Sequence, residues 1–130
     1  MNKIIIASGP VIVEKGKVLL NKHGDTPFWK FCGGSVENFE MDLQETAKKE
    51  AKSEMGLEIE ITDPEPFIVH TKKDDVDVIL VHYNAKRTND EIKPREDIRE
   101  WKWMPLKDLE KEDLAPNIEP ALVHFWYLDK

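Results

Sequence analysis

The sequence predicts a mixed β-sheet with helices packed on it, a sandwich of the α/β or α+β kind. Three observations predict this. β-Branched runs recur along the chain, one well-signalled helix interrupts them at residues 42–55, and a second helical pattern closes the chain at residues 118–128. The 130 residues suit a single domain, 1–130, with one core.

In chain order, Ile4-Ile5-Ile6 and Val11-Ile12-Val13 read as strand material, with an irregularity expected at Gly9-Pro10 between them. Glu14 to Lys17 is a turn signal and Val18-Leu19-Leu20 the return strand, so residues 11–21 read as a hairpin. His23 to Pro27 is a loop. Phe28 to Cys32 reads as a short aromatic strand running into Gly33-Gly34. The helix at 42–55 has Asp42 as N-cap, Glu45 in the capping-box position and Gly56 as its stop. Leu57 to Ile61, Phe67 to Val69 and Val76 to Tyr83 read as strands, the last two joined by the polar turn Lys72 to Asp75. Residues 86–97 form the longest loop. Trp101 and Trp103 mark a last strand, Met104-Pro105-Leu106 leads into a helical turn, and Ala121, Leu122, Phe125 and Leu128 show helical spacing.

Composition narrows the function. With 40% hydrophobic residues the chain can build a core, and the charged 35% is mixed in sign along the chain, as on a solvated surface. A net charge of −7 disfavours nucleic acid as a partner, because Lys48, Lys49 and Lys52 are interleaved with acids and form no basic patch. An acidic chain still binds phosphates when a divalent cation lies between the two. The single cysteine, Cys32, forms no internal disulfide, and Met1 to Val13 reads as neither a signal peptide nor a membrane span. The expectation is a cytoplasmic protein with no membrane partner.

The helix carries the chemistry. On a wheel of about 100° per residue, Leu43, Ala47, Ala51 and Met55 define an apolar stripe. Glu54 falls inside that stripe and Glu50 at its edge, whereas Glu45, Lys48, Lys49 and Lys52 fall opposite. Two like charges facing the protein body raise each other's pKa and call for a counter-charge. Either a cation such as Mg²⁺ lies between them, or the stripe is wide and both side chains snorkel to its edge. Gly33-Gly34 ahead of the helix would let a ligand approach the backbone closely, although a Gly-Gly pair also serves as an ordinary turn.

From Gly34, five residues lead to Glu40, and further on comes Lys49-Glu50-Ala51-Lys52-Ser53-Glu54-Met55-Gly56-Leu57. This run resembles the Nudix box, and Trp29-Lys30-Phe31-Cys32-Gly33-Gly34-Ser35-Val36-Glu37 resembles the family's lead-in. Trp103 to Leu106 and Leu114 to Leu122 are similar to the closing strand and helix of MutT-like members. The chain departs from the pattern in an extra residue between Glu40 and Lys49, in Lys49 for Arg, Phe39 for Gly, Cys32 for Pro, and Ser53 for the first Glu of a pair.

The resemblance implies a Nudix-like α/β/α sandwich with a mixed sheet. It implies Mg²⁺ (or Mn²⁺) held by Glu50, Glu54 and the Gly33 carbonyl, with a second metal site weakened by Ser53. The activity it implies is hydrolysis, at the pyrophosphate, of a nucleoside diphosphate-linked or nucleoside triphosphate substrate. The alternative is a catalytically weak or inactive Nudix-like module that binds a nucleotide or a protein. Glu40 and Lys49 join the catalytic candidates as outer partners, and Glu96 or Asp97 is the candidate general base. Trp29, Phe31, Gly34 and Asn117 are the substrate-binding candidates. The aromatic ones, with Tyr83, serve either as base-stacking platforms or as core, and His23 and His70 as phosphate ligands or as structural groups. The small-molecule nucleotide is the expected partner, bound by a monomer or homodimer.

Overall fold

The computed structural model describes residues 3–37 and 41–129. The chain runs β1 (Lys3–Glu14), β2 (Lys17–His23), β3 (Gly34–Ser35), α1 (Leu43–Met55), β4 (Ile59–Ile61), β5 (Phe67–Lys73), β6 (Val76–Arg87), β7 (Ile98–Pro105), a 3-10 helix at Leu106–Lys111, and α2 (Ile118–His124). The strands form one mixed sheet in the order β4-β6-β1-β2-β7, with β3 added to β1 and β5 to β6. β1 and β6 run parallel from Lys3 opposite Val76 to Ile12 opposite Ala85, and the other pairings are antiparallel.

Strand alternation makes this sheet the middle layer. Val11 and Leu20 point to one face and join Val18, Met104, Ile118, Ala121 and Leu122 under α2. Their chain neighbours Ile12 and Leu19 point to the other face and join Ala51, Met55, Leu57 and Ile98 under α1. Helices therefore cover both faces, as in the Nudix α/β/α sandwich. Ala47 and Ala51, fully buried, carry no bulk that would hold α1 away from the sheet.

Most expected elements are present, and three differ. The β1–β2 hairpin closes through Lys15 (φ 50°) and Gly16 (φ 75°), both left-handed as a two-residue hairpin loop requires. β1 is one continuous strand through Gly9-Pro10, not two runs around an irregularity. Along one edge it changes partner there, from β3 at Ala7 and Ser8 to β2 at Val13 and Glu14. Phe28 to Cys32 is not a strand: it is tied only by single bridges, Asn21 to Lys30 and Trp29 to Leu114. The closing helix stops at His124, because Trp126 turns left-handed (φ 69°) and Tyr127 donates back to the Leu122 carbonyl. Among the described residues no helix is long and apolar enough to cross a membrane.

Candidate active site

Helix α1 is built from both ends by local chemistry. The Asp42 side chain accepts from the Glu45 amide at 2.7 Å, satisfying an N-terminal donor. At the other end Gly56 is left-handed (φ 66°) and its amide donates to the Lys52 carbonyl. The loop before β7 covers two more carbonyls: the Lys93 amide donates to Met55 O and the Arg95 amide to Glu54 O. This fixes the last turn of α1, and with it Glu50 and Glu54.

Glu54 is 2% exposed, and its Oε2 accepts from the Gly33 amide at 3.1 Å. Burial pushes its pKa up from 4.5 to about 7. Lys30 and the Gly33 amide pull it down, Glu50 pushes it up, and Arg95 pulls it down again. Glu50 is half-buried, and its carboxylate lies where a side chain on Gly34 would be, with Cδ 2.6 Å from an added Cβ. The two carboxylates thus flank the Gly33–Gly34 backbone. Gly9 makes this approach possible, because a Cβ there would stand 2.7 Å from Gly33 Cα and overlap the Cys32 carbonyl. Cys32 also ties the strap to α1, its thiol donating to Glu50 O at 3.6 Å.

Among the described residues no three His, Cys, Asp or Glu side chains cluster as a metal cage. Two carboxylates beside a backbone strap nevertheless suit Mg²⁺, which keeps several waters and takes one or two protein carboxylates. The buried, proton-retaining Glu54 is the observation that fits: a divalent cation would stabilise its charged form.

The other expected residues divide. Glu40, like Phe39, lies outside the described residues. Lys49 is exposed on α1. Trp29 and Phe31, 7% and 5% exposed, are core residues, so they are not free stacking platforms. Lys22 Nζ lies 4.8 Å over the Trp29 ring, and Phe31 meets His82 edge-on at 4.9 Å. Tyr83 is also buried. Asn117 is 7% exposed and donates from Nδ2 to His82 Nε2 at 2.8 Å, which commits the amide it would offer a substrate. His70 is exposed and pairs with Asp77. Glu96 lines a shallow concavity of about 360 Å³ with Arg95 and Asp97.

Asp97 accepts from Arg95 Nε at 2.6 Å and Nη2 at 2.9 Å, and from His23 at 2.5 Å. The Arg95 guanidinium holds its carboxyl far below the usual carboxylate range, with His23 adding to the effect. Arg95 also donates from Nη1 to Ser53 Oγ at 3.0 Å. Sequence reasoning missed Arg95 and Gly9, since each meets the site through a contact that spacing along the chain does not encode, and Lys30, whose charge acts on Glu54.

The NUDIX domain model matches residues 4–125. The chain belongs to the NUDIX family. Its degenerate Nudix box is the stretch from Gly34 to Leu57 that carries both carboxylates. It is 27% identical over 120 residues to the nucleoside triphosphatase NudI of Escherichia coli, covering 81% of this chain and 84% of that protein. Among solved structures it superposes on a MutT protein from Methanosarcina mazei Go1 with TM-score 0.79 at 22% identity, covering 95% and 94% of the two chains. The C. elegans Ap4A hydrolase gives TM-score 0.79 at 23% identity, covering 93% and 94%. These two share the Nudix fold with this chain.

Proposed function

We propose that this Nudix chain hydrolyses a nucleoside triphosphate, or a related nucleoside diphosphate derivative, at its pyrophosphate and depends on Mg²⁺ (Mn²⁺ substituting). One observation carries the reading: Glu50 and a buried Glu54 converge on the Gly33–Gly34 backbone with no protein cation hydrogen-bonded to Glu54 among the described residues. Likeness to the nucleoside triphosphatase NudI supports the triphosphate as first choice.

Glu50, Glu54 and the Gly33 carbonyl would hold the cation, which when bound neutralises charge on the diphosphate and lowers the pKa of attached water. Gly34 leaves the Glu50 carboxylate in place, and the Gly33 amide fixes the second carboxylate. Glu96 is the better general base of the two loop acids, because both Asp97 oxygens are engaged and hold protons poorly. Glu40 and Lys49 are outer partners in this reading. The lone buried thiol of Cys32 suits a reducing, cytoplasmic setting.

The test is turnover of a panel of nucleoside triphosphates and diphosphate derivatives with Mg²⁺, with Mn²⁺ and with chelator. Metal-dependent release of pyrophosphate or nucleoside monophosphate is expected, and Glu54→Gln should lower kcat by at least about a hundredfold. Undiminished turnover in that variant would remove the metal assignment.

A further inference from the structure

Arg95 is a fixed cation at the rim of this site. Asp97 grips its Nε and Nη2, His23 bonds the same Asp97 Oδ2 that takes Nη2, and Ser53 Oγ receives Nη1. Ser53 lies between Glu50 and Glu54 on α1, so the guanidinium flanks the carboxylate pair. Its hydrogen bonds nevertheless go to Asp97 and Ser53, not to either glutamate. Among the described residues three of its five N–H groups are taken, leaving one on each Nη. The side chain is 42% exposed, at the concavity it lines with Glu96 and Asp97. A guanidinium held on its Nε–Nη2 edge by a carboxylate, with one N–H left on each Nη, has the donors to take a second anion.

We propose that Arg95 is the anion fork of this site and takes non-bridging phosphate oxygens of the substrate beside the cation held by Glu50 and Glu54, with Asp97 and His23 as its positioning residues. The site then presents two fixed positive charges to the diphosphate with a single metal ion, and Ser53 is the hydroxyl that orients the second charge. The role in turnover rests on the hydrolase reading above, whereas the anion site itself is measurable without metal.

The probe is inorganic pyrophosphate, titrated calorimetrically in chelator at low salt into the intact protein and into Arg95→Ala, Arg95→Lys and Asp97→Asn. A separate titration with Mn²⁺ alone is followed by electron paramagnetic resonance. Arg95→Ala should weaken pyrophosphate by at least about tenfold, and Arg95→Lys should restore only part of that, since an ammonium has no planar fork. Asp97→Asn should fall between. Mn²⁺ should bind Arg95→Ala as tightly as the parent or more tightly, because a neighbouring positive charge is gone. Unchanged pyrophosphate affinity in Arg95→Ala overturns the proposal, and so does the absence of pyrophosphate binding by the parent at millimolar concentration. A parallel loss of pyrophosphate and Mn²⁺ would make Arg95 a structural support of the loop and overturns it equally. If Glu54→Gln left Mn²⁺ binding intact while Arg95→Ala lost pyrophosphate, the metal reading would fail and the anion fork would stand.

Discussion

Glu50 lays its carboxylate in the space that a side chain at Gly34 would need, with Cδ 2.6 Å from an added Cβ. The obstacle is the far end of a flexible side chain, so Gly34→Ala should fold, at a cost of about 1 kcal/mol or less. The carboxylate must swing aside, and Mn²⁺ affinity should drop by about tenfold or more. A calorimetric Mn²⁺ titration alongside a melting curve checks both halves. Unaltered affinity would mean that Glu50 is not a ligand.

Gly9→Ala should cost stability as well as metal affinity. Its Cβ would stand 2.7 Å from Gly33 Cα and 2.9 Å from the Cys32 carbonyl carbon, and backbone cannot rotate out of the way. The strap must part from β1, which should cost about 1–3 kcal/mol or more by urea unfolding. Because the Gly33 amide leaves Glu54 as the strap moves, metal affinity should fall with stability. A variant as stable as the parent would show that the close approach is not fixed.

The contrast between these glycines shows what the sequence discloses. Helix α1 was legible because its signals are local: Asp42 caps it, Gly56 stops it, and period 3.6 turns Glu54 inward. The sandwich was legible because strand alternation at Val11-Ile12 and Leu19-Leu20 supplies both helices with a face. Gly9 looked like an irregularity in a strand because its reason, the backbone of Cys32 and Gly33, comes from more than twenty residues away. Phe28 to Cys32 has strand composition but finds ladder partners only at single bridges. Arg95 carried no signal, since its tie to Ser53 spans 42 positions.

Glu54 should make the metal-free protein less stable as pH rises. Its folded pKa, about 7, is raised above the ordinary 4.5. The folded state therefore binds the proton more tightly than the unfolded chain. That stabilisation is fully present below pH 4.5 and is lost as pH rises through 7, amounting to roughly 3 kcal/mol. Glu54→Gln lacks this loss. Urea melts in chelator at several pH values should therefore show the variant gaining on the parent from pH 4.5 to 7.5, and saturating Mg²⁺ should close the gap from the parent's side. Parallel stability curves would rule out a buried, proton-retaining carboxylate.

His82 should act with the opposite sign, and the Glu54→Gln background exposes it. It is 5% exposed, lies edge-on to Phe31, and accepts from Asn117. Burial lowers its pKa from 6.5 to about 4, against a smaller upward pull from the Gly9 backbone. The unfolded chain takes up a proton first, so stability is intact above pH 6.5 and falls by roughly 3 kcal/mol as pH drops toward 4. The carboxyl of Asp97, whose pKa is also lowered, contributes only below its ordinary value of 3.8, outside this window. Adding His82→Gln to Glu54→Gln should flatten the slope between pH 6.5 and 4 even if it lowers stability throughout by leaving the Asn117 amide without its acceptor. In the parent, the imidazole C–H resonances should titrate with a midpoint near 4. A midpoint above 6 would show that the ring is hydrated, not sealed beneath Phe31.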